Sequence, residues 1–354
     1  PGSQPVTVDV LEAASYLSQP DAPFINLPTV VENPLGTVYA GPGSRAMLDV
    51  LRGKRQDEFP AQIVILPKQS RMLMNLPIPV KPLDPPINGR SSLIRARSGA
   101  PIYMASLAMF APTNDDGTER APTVEEWQTL LETGNLAGPR DKTPTPLDQK
   151  KGQIIYGRVA GVAVGSRWNT QIVDPPGIQP DDPTTWYLTI PKTGEAFSYG
   201  ISTLVGGTLG TGQMQSATML ARYPDTAYQA HGNYAIEYNL TLPLQNRTSE
   251  TQRIAVTLET PIKEDQPKNE QLRFLEPPAR QVFFRGTVRI RYNDDLGLPQ
   301  TRYVHLVQRR GQQGEPLAVM TMQPGDRRLV KVDLLYPPDS TPPQVLTVKN
   351  LGQP

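Results

Sequence analysis

The feature that most constrains the fold is a phrase stated twice. Val6, Val8 and Val10 alternate with Thr7 and Asp9, and Ile254, Val256 and Leu258 alternate in the same way with Ala255 and Thr257. Each run follows a polar, turn-like lead-in, Gly2 to Gln4 in one case and Arg247 to Gln252 in the other. A second shared phrase comes about 60 to 70 residues later in each copy. Ile63, Ile65, a Pro67 turn, Met72, Met74, Leu76 and Pro79 match Met320, Met322, a Pro324-Gly325 turn, Val330, Val332, Leu334 and Pro337. Alternation with a period of two is the signature of a half-buried strand, so the order and spacing predict two copies of one β unit.

The copies differ at the front. The alternating run Tyr234 to Leu244 precedes the second leading strand and is expected to pair with it through a turn at Asn246 to Glu250, whereas nothing comparable precedes Val6. The first unit is therefore expected to lack a strand, supplied by residues upstream of Pro1, by another segment or by another chain. An unpaired strand edge recruits partners. The Pro-Gly-Ser start without an initiator Met agrees with processing or trimming.

A chain of 354 residues suggests two or three domains. Its 39 Pro and 28 Gly would read as disorder if the rest lacked pattern, but 38% of residues are hydrophobic and fall in short alternating runs, so Pro and Gly read as turns. The expected fold is mainly β: two sandwich-like (Ig-like) antiparallel β units with a short helical insertion and long Pro/Gly-rich loops. The divisions expected are an N-terminal unit over 1–137, a linker over 138–152, a Gly-rich β region over 153–229 packing on the second unit, and a C-terminal unit over 230–354. A short helix is predicted at Ser44 to Leu51 with Ser44 as cap. A second helix follows the capping box Thr123/Glu126 over about 123–133 and ends at Gly134. Tyr103 to Phe110 reads as a buried strand, Gln153 to Val164 as a Gly-containing strand pair, and Trp186 to Ile190 as a short strand. Val288 to Tyr292 and Arg302 to Gln308 read as a hairpin joined by the turn Asn293 to Gly297.

Charge and composition exclude several classes of function. Thirty-five basic residues balance 34 acidic ones without a run of either sign, which argues against a nucleic-acid partner. Cysteine is absent, which removes disulfides, thiolate nucleophiles and Cys-based metal sites. No apolar segment approaches the roughly 20 residues of a spanning helix. The two histidines, His231 and His305, stand apart without a G-x-S-x-G elbow, so a Ser-His-Asp hydrolase is disfavoured. The run Gly206 to Gly212 lacks phosphate-loop spacing and reads as a loop or bulge. Asn114 to Gly117 and Asn293 to Asp295 lack calcium-loop spacing and read as Asx turns. Glu125/Glu126 and Asp181/Asp182 are sequence neighbours and do not by themselves make a glycosidase pair. Asn239-Leu240-Thr241 and Asn246-Arg247-Thr248 match the glycosylation sequon. No catalytic, cofactor or metal residues are expected. Trp168, Trp186 and Tyr187 form the candidate sugar-stacking platform.

The stretches 5–24 (P-V-T-V-D-V-L-E-A-A-S-Y-L-S-Q-P-D-A-P-F), 32–43 (E-N-P-L-G-T-V-Y-A-G-P-G), 103–114 (Y-M-A-S-L-A-M-F-A-P-T-N) and 230–238 (A-H-G-N-Y-A-I-E-Y) resemble an exported cyanobacterial family designated domain of unknown function 3370. The resemblance runs over essentially the whole chain. It implies a signal peptide upstream of Pro1 and a periplasmic, cell-envelope or extracellular location, and it carries over no site residues. The leading expectation is a non-enzymatic structural or interaction protein that associates with itself or with an envelope protein or polysaccharide. A carbohydrate-binding module is the alternative, and a carboxylate-dependent glycoside hydrolase is a third reading.

Overall fold

The computed structural model describes residues 3–19, 21–79, 89–134, 142–149, 152–175 and 186–354. The N-terminal third carries β1 (Val6–Leu17), β2 (Val30–Glu32), α1 (Pro42–Leu51), β3 (Gln62–Ile65), β4 (Arg90–Ser98) and α2 (Val124–Thr133). The middle carries β5 (Gly161–Ala163), β6 (Arg167–Gln171), β7 (Leu188–Thr189), β8 (Ala196–Ile201), β9 (Ala217–Arg222) and β10 (Gln229–Ala230). The C-terminal part carries β11 (Glu237–Gln245), β12 (Gln252–Glu259), β13 (Val282–Asn293), β14 (Pro299–Arg309), β15 (Pro316–Met322), β16 (Arg327–Leu335) and β17 (Gln344–Asn350). The protein is mainly β, with several antiparallel sheets.

The largest core lies between two sheets. One runs β2-β14-β13-β16-β11-β6, with β7 also on β11, and the other runs β15-β12-β17-β8. Alternate residues of β11 (Tyr238, Leu240, Leu242, Leu244) and of β12 (Ile254, Val256, Leu258) are buried in one cluster with Ile290, Leu306, Met320 and Val332. Burying a large aliphatic side chain contributes roughly 1.5–3 kcal/mol over leaving it exposed, so this two-sheet core dominates the stability of the molecule. The middle region extends both sheets: β6 and β7 add in parallel to β11, and β8 adds antiparallel to β17. Strands β5, β9 and β10 form a small sheet of their own. The hairpin β13–β14 forms where the alternation predicts it, with Val288 opposite Val304 and Ile290 opposite Arg302.

The repeat survives as topology. In each copy the leading strand is central and pairs antiparallel with the strand of the second phrase, Val8 opposite Ile63 in one and Ile254 opposite Met320 in the other. Aligned by sequence, the two registers differ by two residues, a shift that keeps the same side chains on the same face. The other edge of β1 is taken by β4 and that of β12 by β17. Of the three sources expected for the missing neighbour of the first leading strand, another segment of the chain supplies it: β4 takes the second edge, so β1 has a neighbour on both sides. The expected β11–β12 hairpin is absent, because the two strands lie in different sheets. The cause is Asn246. Its buried amide donates to the carbonyls of Glu250 (2.8 Å) and Met322 (2.9 Å), and its Oδ1 accepts from the Thr248 amide (2.9 Å), which turns the chain from one sheet to the other.

The first unit has a different second layer from the one expected. Its three-stranded sheet, β3-β1-β4, packs on α1, and α1 in turn packs on the outer face of the larger sheet near Tyr303 and Leu335. The opposite face, at Val10 and Ala13, is covered by Phe59, Leu73 and Leu76. The segment with Met72, Met74 and Leu76 is not a strand, since Pro67, Pro77 and Pro79 remove ladder donors around it. Helix α1 begins at Pro42, which suits the first helical position. Gly41 is its N-cap with φ 83°, and a Cβ there would lie 2.2 Å from the Phe24 ring. Ser44 is thus inside the helix rather than capping it, and its hydroxyl meets His305 Nε2 at 3.1 Å. Only Gly161–Ala163 of the expected Gln153–Val164 pair becomes a strand, and Gly157, ahead of it, turns the backbone to positive φ.

Candidate association surface

The segment after β4 departs most from expectation. Pro101–Phe110, expected as a buried strand, forms no regular structure, and its large side chains face outward: Tyr103 is 88% exposed, Met104 74% and Phe110 93%. This apolar run finds no ladder to join at β1, both of whose edges are already occupied. Among the described residues, no backbone amide or carbonyl from 101 to 111 is paired within the chain. Water can satisfy this exposed backbone, so it is the run of exposed large apolar side chains that marks the segment as an interaction surface.

Helix α2 follows, and its N-terminus is held by local hydrogen bonds. Thr123 Oγ1 accepts from the Glu126 amide (3.2 Å), and the Glu126 carboxylate accepts from the Thr123 amide (2.8 Å), completing the predicted capping box. Arg120 grips the same carboxylate with two bonds of 2.9 and 2.7 Å. These bonds, the Arg120 pair first, hold the Glu126 carboxyl down to about 2. Gly134 ends the helix in an extended rather than left-handed conformation, its amide donating to Leu130 O at 2.8 Å. No residue of α2 is buried, and Val124 and Leu131 add to the exposed apolar surface.

The predicted sugar platform is spread out. Trp168 is half-buried, its Nε1 donating to the Tyr199 hydroxyl (3.0 Å) and its ring 6.3 Å from that of Tyr238. Trp186 is 45% exposed, while Arg327 lies 4.5 Å over the ring of Tyr187. Trp168 sits opposite Tyr238 on β11 and Leu188 opposite Leu244 on the same strand, which at strand rise puts Tyr187, one residue earlier, about 17 Å along β11 from Trp168. The structure does not bring the three together.

The remaining candidates are placed plainly. His231 Nε2 donates to Gly157 O (2.8 Å) beside Tyr156 and lines a cavity of about 110 Å³; burial lowers its pKa. Lys263 Nζ donates to the Tyr156 hydroxyl at 2.6 Å, and burial lowers its pKa too. His305 is fully buried. The amides of Gly206 and Thr208 in the Gly-rich loop bind a carboxylate of the chain itself, Asp265, at 3.1 and 2.9 Å. Asp116 and Asp294 accept from amides of their own turns. Asn246 is buried and Asn239 faces Asn169 across the sheet. Asp181, Asp182 and residues 138–141 and 150–151 of the expected 138–152 linker lie outside the described residues. Among the described residues, no group of three or more His, Cys, Asp or Glu side chains is arranged to hold a metal ion, and no helix is long and apolar enough to cross a membrane. The exposed arm is not legible in the sequence because a short apolar run signals a buried strand without saying whether an edge is free to receive it.

No curated protein and no solved structure matches the chain. A family model does, over residues 1–350. The chain thus belongs to the family described as protein of unknown function, DUF3370.

Proposed function

We propose that this is a non-enzymatic β protein of the cell envelope or extracellular space that acts by self-association, with Pro101–Phe110 as the contact segment. The observation that carries the reading is the coincidence, in one ten-residue stretch, of exposed Tyr103, Met104 and Phe110 with an unpaired backbone. A second copy of the chain supplies edges of matching chemistry. Among the described residues, strand β15 pairs only with β12 and exposes Val319, and β8 pairs only with β17 and exposes Phe197. Addition of an extended segment to such an edge satisfies both its backbone and its alternate side chains. The envelope location rests on the family resemblance. The paired sheets of the C-terminal unit are read as an Ig-like sandwich, supported by two sheets closing on one core.

Hydrogen–deuterium exchange tests the contact segment. Amides 102–111 should exchange more slowly as the protein is concentrated, and exchange that is independent of concentration would contradict the reading. Protection that arises only on adding envelope polysaccharide would replace the second copy by that partner. The exposure of Trp186 favours a second reading, polysaccharide binding at that residue, in which Trp186→Ala abolishes retention on a polysaccharide matrix.

A further inference from the structure

A polar cavity of about 290 Å³ opens in the N-terminal unit between β1, α1 and the start of β4. Its charged walls are Asp21 and Glu58 on one hand and Arg45 and Arg90 on the other, with Ser15 and Gln56 beside them. The two guanidiniums are held in place by the fold. Arg45 lies 4.0 Å over the ring of Tyr16 and 4.7 Å over that of Tyr39, with Nη1 donating to the Asp21 carbonyl. The Tyr16 hydroxyl donates to buried Asp49; burial first, and then that bond, push its pKa up to about 12, so it stays a neutral donor. Arg90 donates from Nε and Nη2 to Pro77 O (3.2 and 2.9 Å) and from Nη1 to Ser15 Oγ (3.3 Å).

Not every polar group is used up. Asp21 spends Oδ2 on the Leu17 amide (2.9 Å). Among the described residues, the Glu58 carboxylate makes no hydrogen bond and no ion pair, although its charge and that of Asp21 act on Arg90. Formally the four charges cancel. A free acid entering the cavity meets two carboxylates, and a free base meets two guanidiniums. Carboxylates only accept hydrogen bonds and guanidiniums only donate them, so the group that suits both is one that donates and accepts at neighbouring atoms without charge. Adjacent hydroxyls do that. The volume is at the small end of the roughly 300–1,000 Å³ of ligand sites, enough for one ring.

We propose that this cavity binds a single neutral sugar residue, whose hydroxyls donate to Glu58 and Asp21 and accept from Arg45 and Arg90. The site lies apart from Trp168, Trp186 and Tyr187 and stands independently of the association surface. Saturation-transfer NMR and calorimetry on the full chain test it with D-glucose, D-galactose and N-acetyl-D-glucosamine as neutral probes, D-glucuronate as an acid and L-alanine as a zwitterion. At least one neutral probe should bind. Glu58→Ala removes an exposed side chain without partners and should weaken that binding roughly tenfold, the scale of one hydrogen bond to a charged group. Asp21→Asn, which keeps an acceptor for the Leu17 amide, should weaken it in the same direction. Circular dichroism confirms that both variants are folded. Failure of all three neutral probes, binding of glucuronate or alanine alone, or affinities unchanged in both variants would each overturn the proposal.

Discussion

Strands β1 and β12 begin with the same phrase and occupy the same position, centred between two antiparallel neighbours. Their surroundings differ. Strand β12 faces a second sheet across a large apolar cluster, whereas β1 faces a single helix on one side and Phe59, Leu73 and Leu76 on the other. Local alternation thus specifies a strand and which of its faces is apolar, and leaves open what covers that face. In the first unit the chain that follows β3 did not become a further sheet. It returned as β4 to fill the free edge of β1, and the apolar run beyond it was left with no edge to join.

The contrast can be broken or sharpened by experiment. The largest effect belongs to the two-sheet core. Leu258→Ala should cost about 2–5 kcal/mol in chemical denaturation, whereas Leu93→Ala, at a half-buried position beside α1, should cost less than half as much. Equal costs would mean that the two units are equally well packed.

Next comes the joint between them, where His305 of β14 meets Ser44 of α1. Burial, assisted by the charge of Arg285, lowers the His305 pKa to about 4 from 6.5. Between those values the unfolded chain binds a proton that the folded one does not, so stability is full above about pH 6.5 and falls as the pH drops toward 4. The loss should approach about 3 kcal/mol. Denaturation midpoints across that range check it, and His305→Gln should flatten this part of the slope.

A smaller effect is expected at Glu237, where Arg95 of β4 (3.0 Å) and Arg167 of β6 (3.1 Å) share one carboxylate oxygen. Glu237→Gln should cost about 1–3 kcal/mol and speed hydrogen exchange in β4 while leaving β12 protected. The smallest effect on the whole molecule is that of Thr123→Ala. It should destabilise α2 by about 1 kcal/mol, visible in exchange of amides 124–133, with little change in the global melting temperature because no residue of α2 belongs to the buried core.

How much was legible follows from where each interaction is encoded. The hairpin β13–β14, the capping box of α2 and the leading strands were readable because their partners are close in sequence or share a strict period. The separation of β11 from β12 was not, since it depends on the Asn246 amide reaching Met322 O, a contact 76 residues away. The role of Ser44 was misread for the same reason: its partner, His305, lies 261 residues on. Trp168 looked like a free aromatic because nothing in its local sequence announces Tyr199 and Tyr238. The polar cavity gathers Asp21, Arg45, Glu58 and Arg90 from four separate segments and leaves no spacing signal.

The central claim is that the chain associates through its exposed arm, and sedimentation velocity over a concentration series tests it most directly. The account predicts that the mass rises above the 38.9 kDa of one chain as concentration increases, and that the double variant Tyr103→Ser/Phe110→Ser stays at the mass of a single folded chain. A wild-type protein that remains at one chain's mass throughout, or a variant that associates as the wild type does, would contradict it.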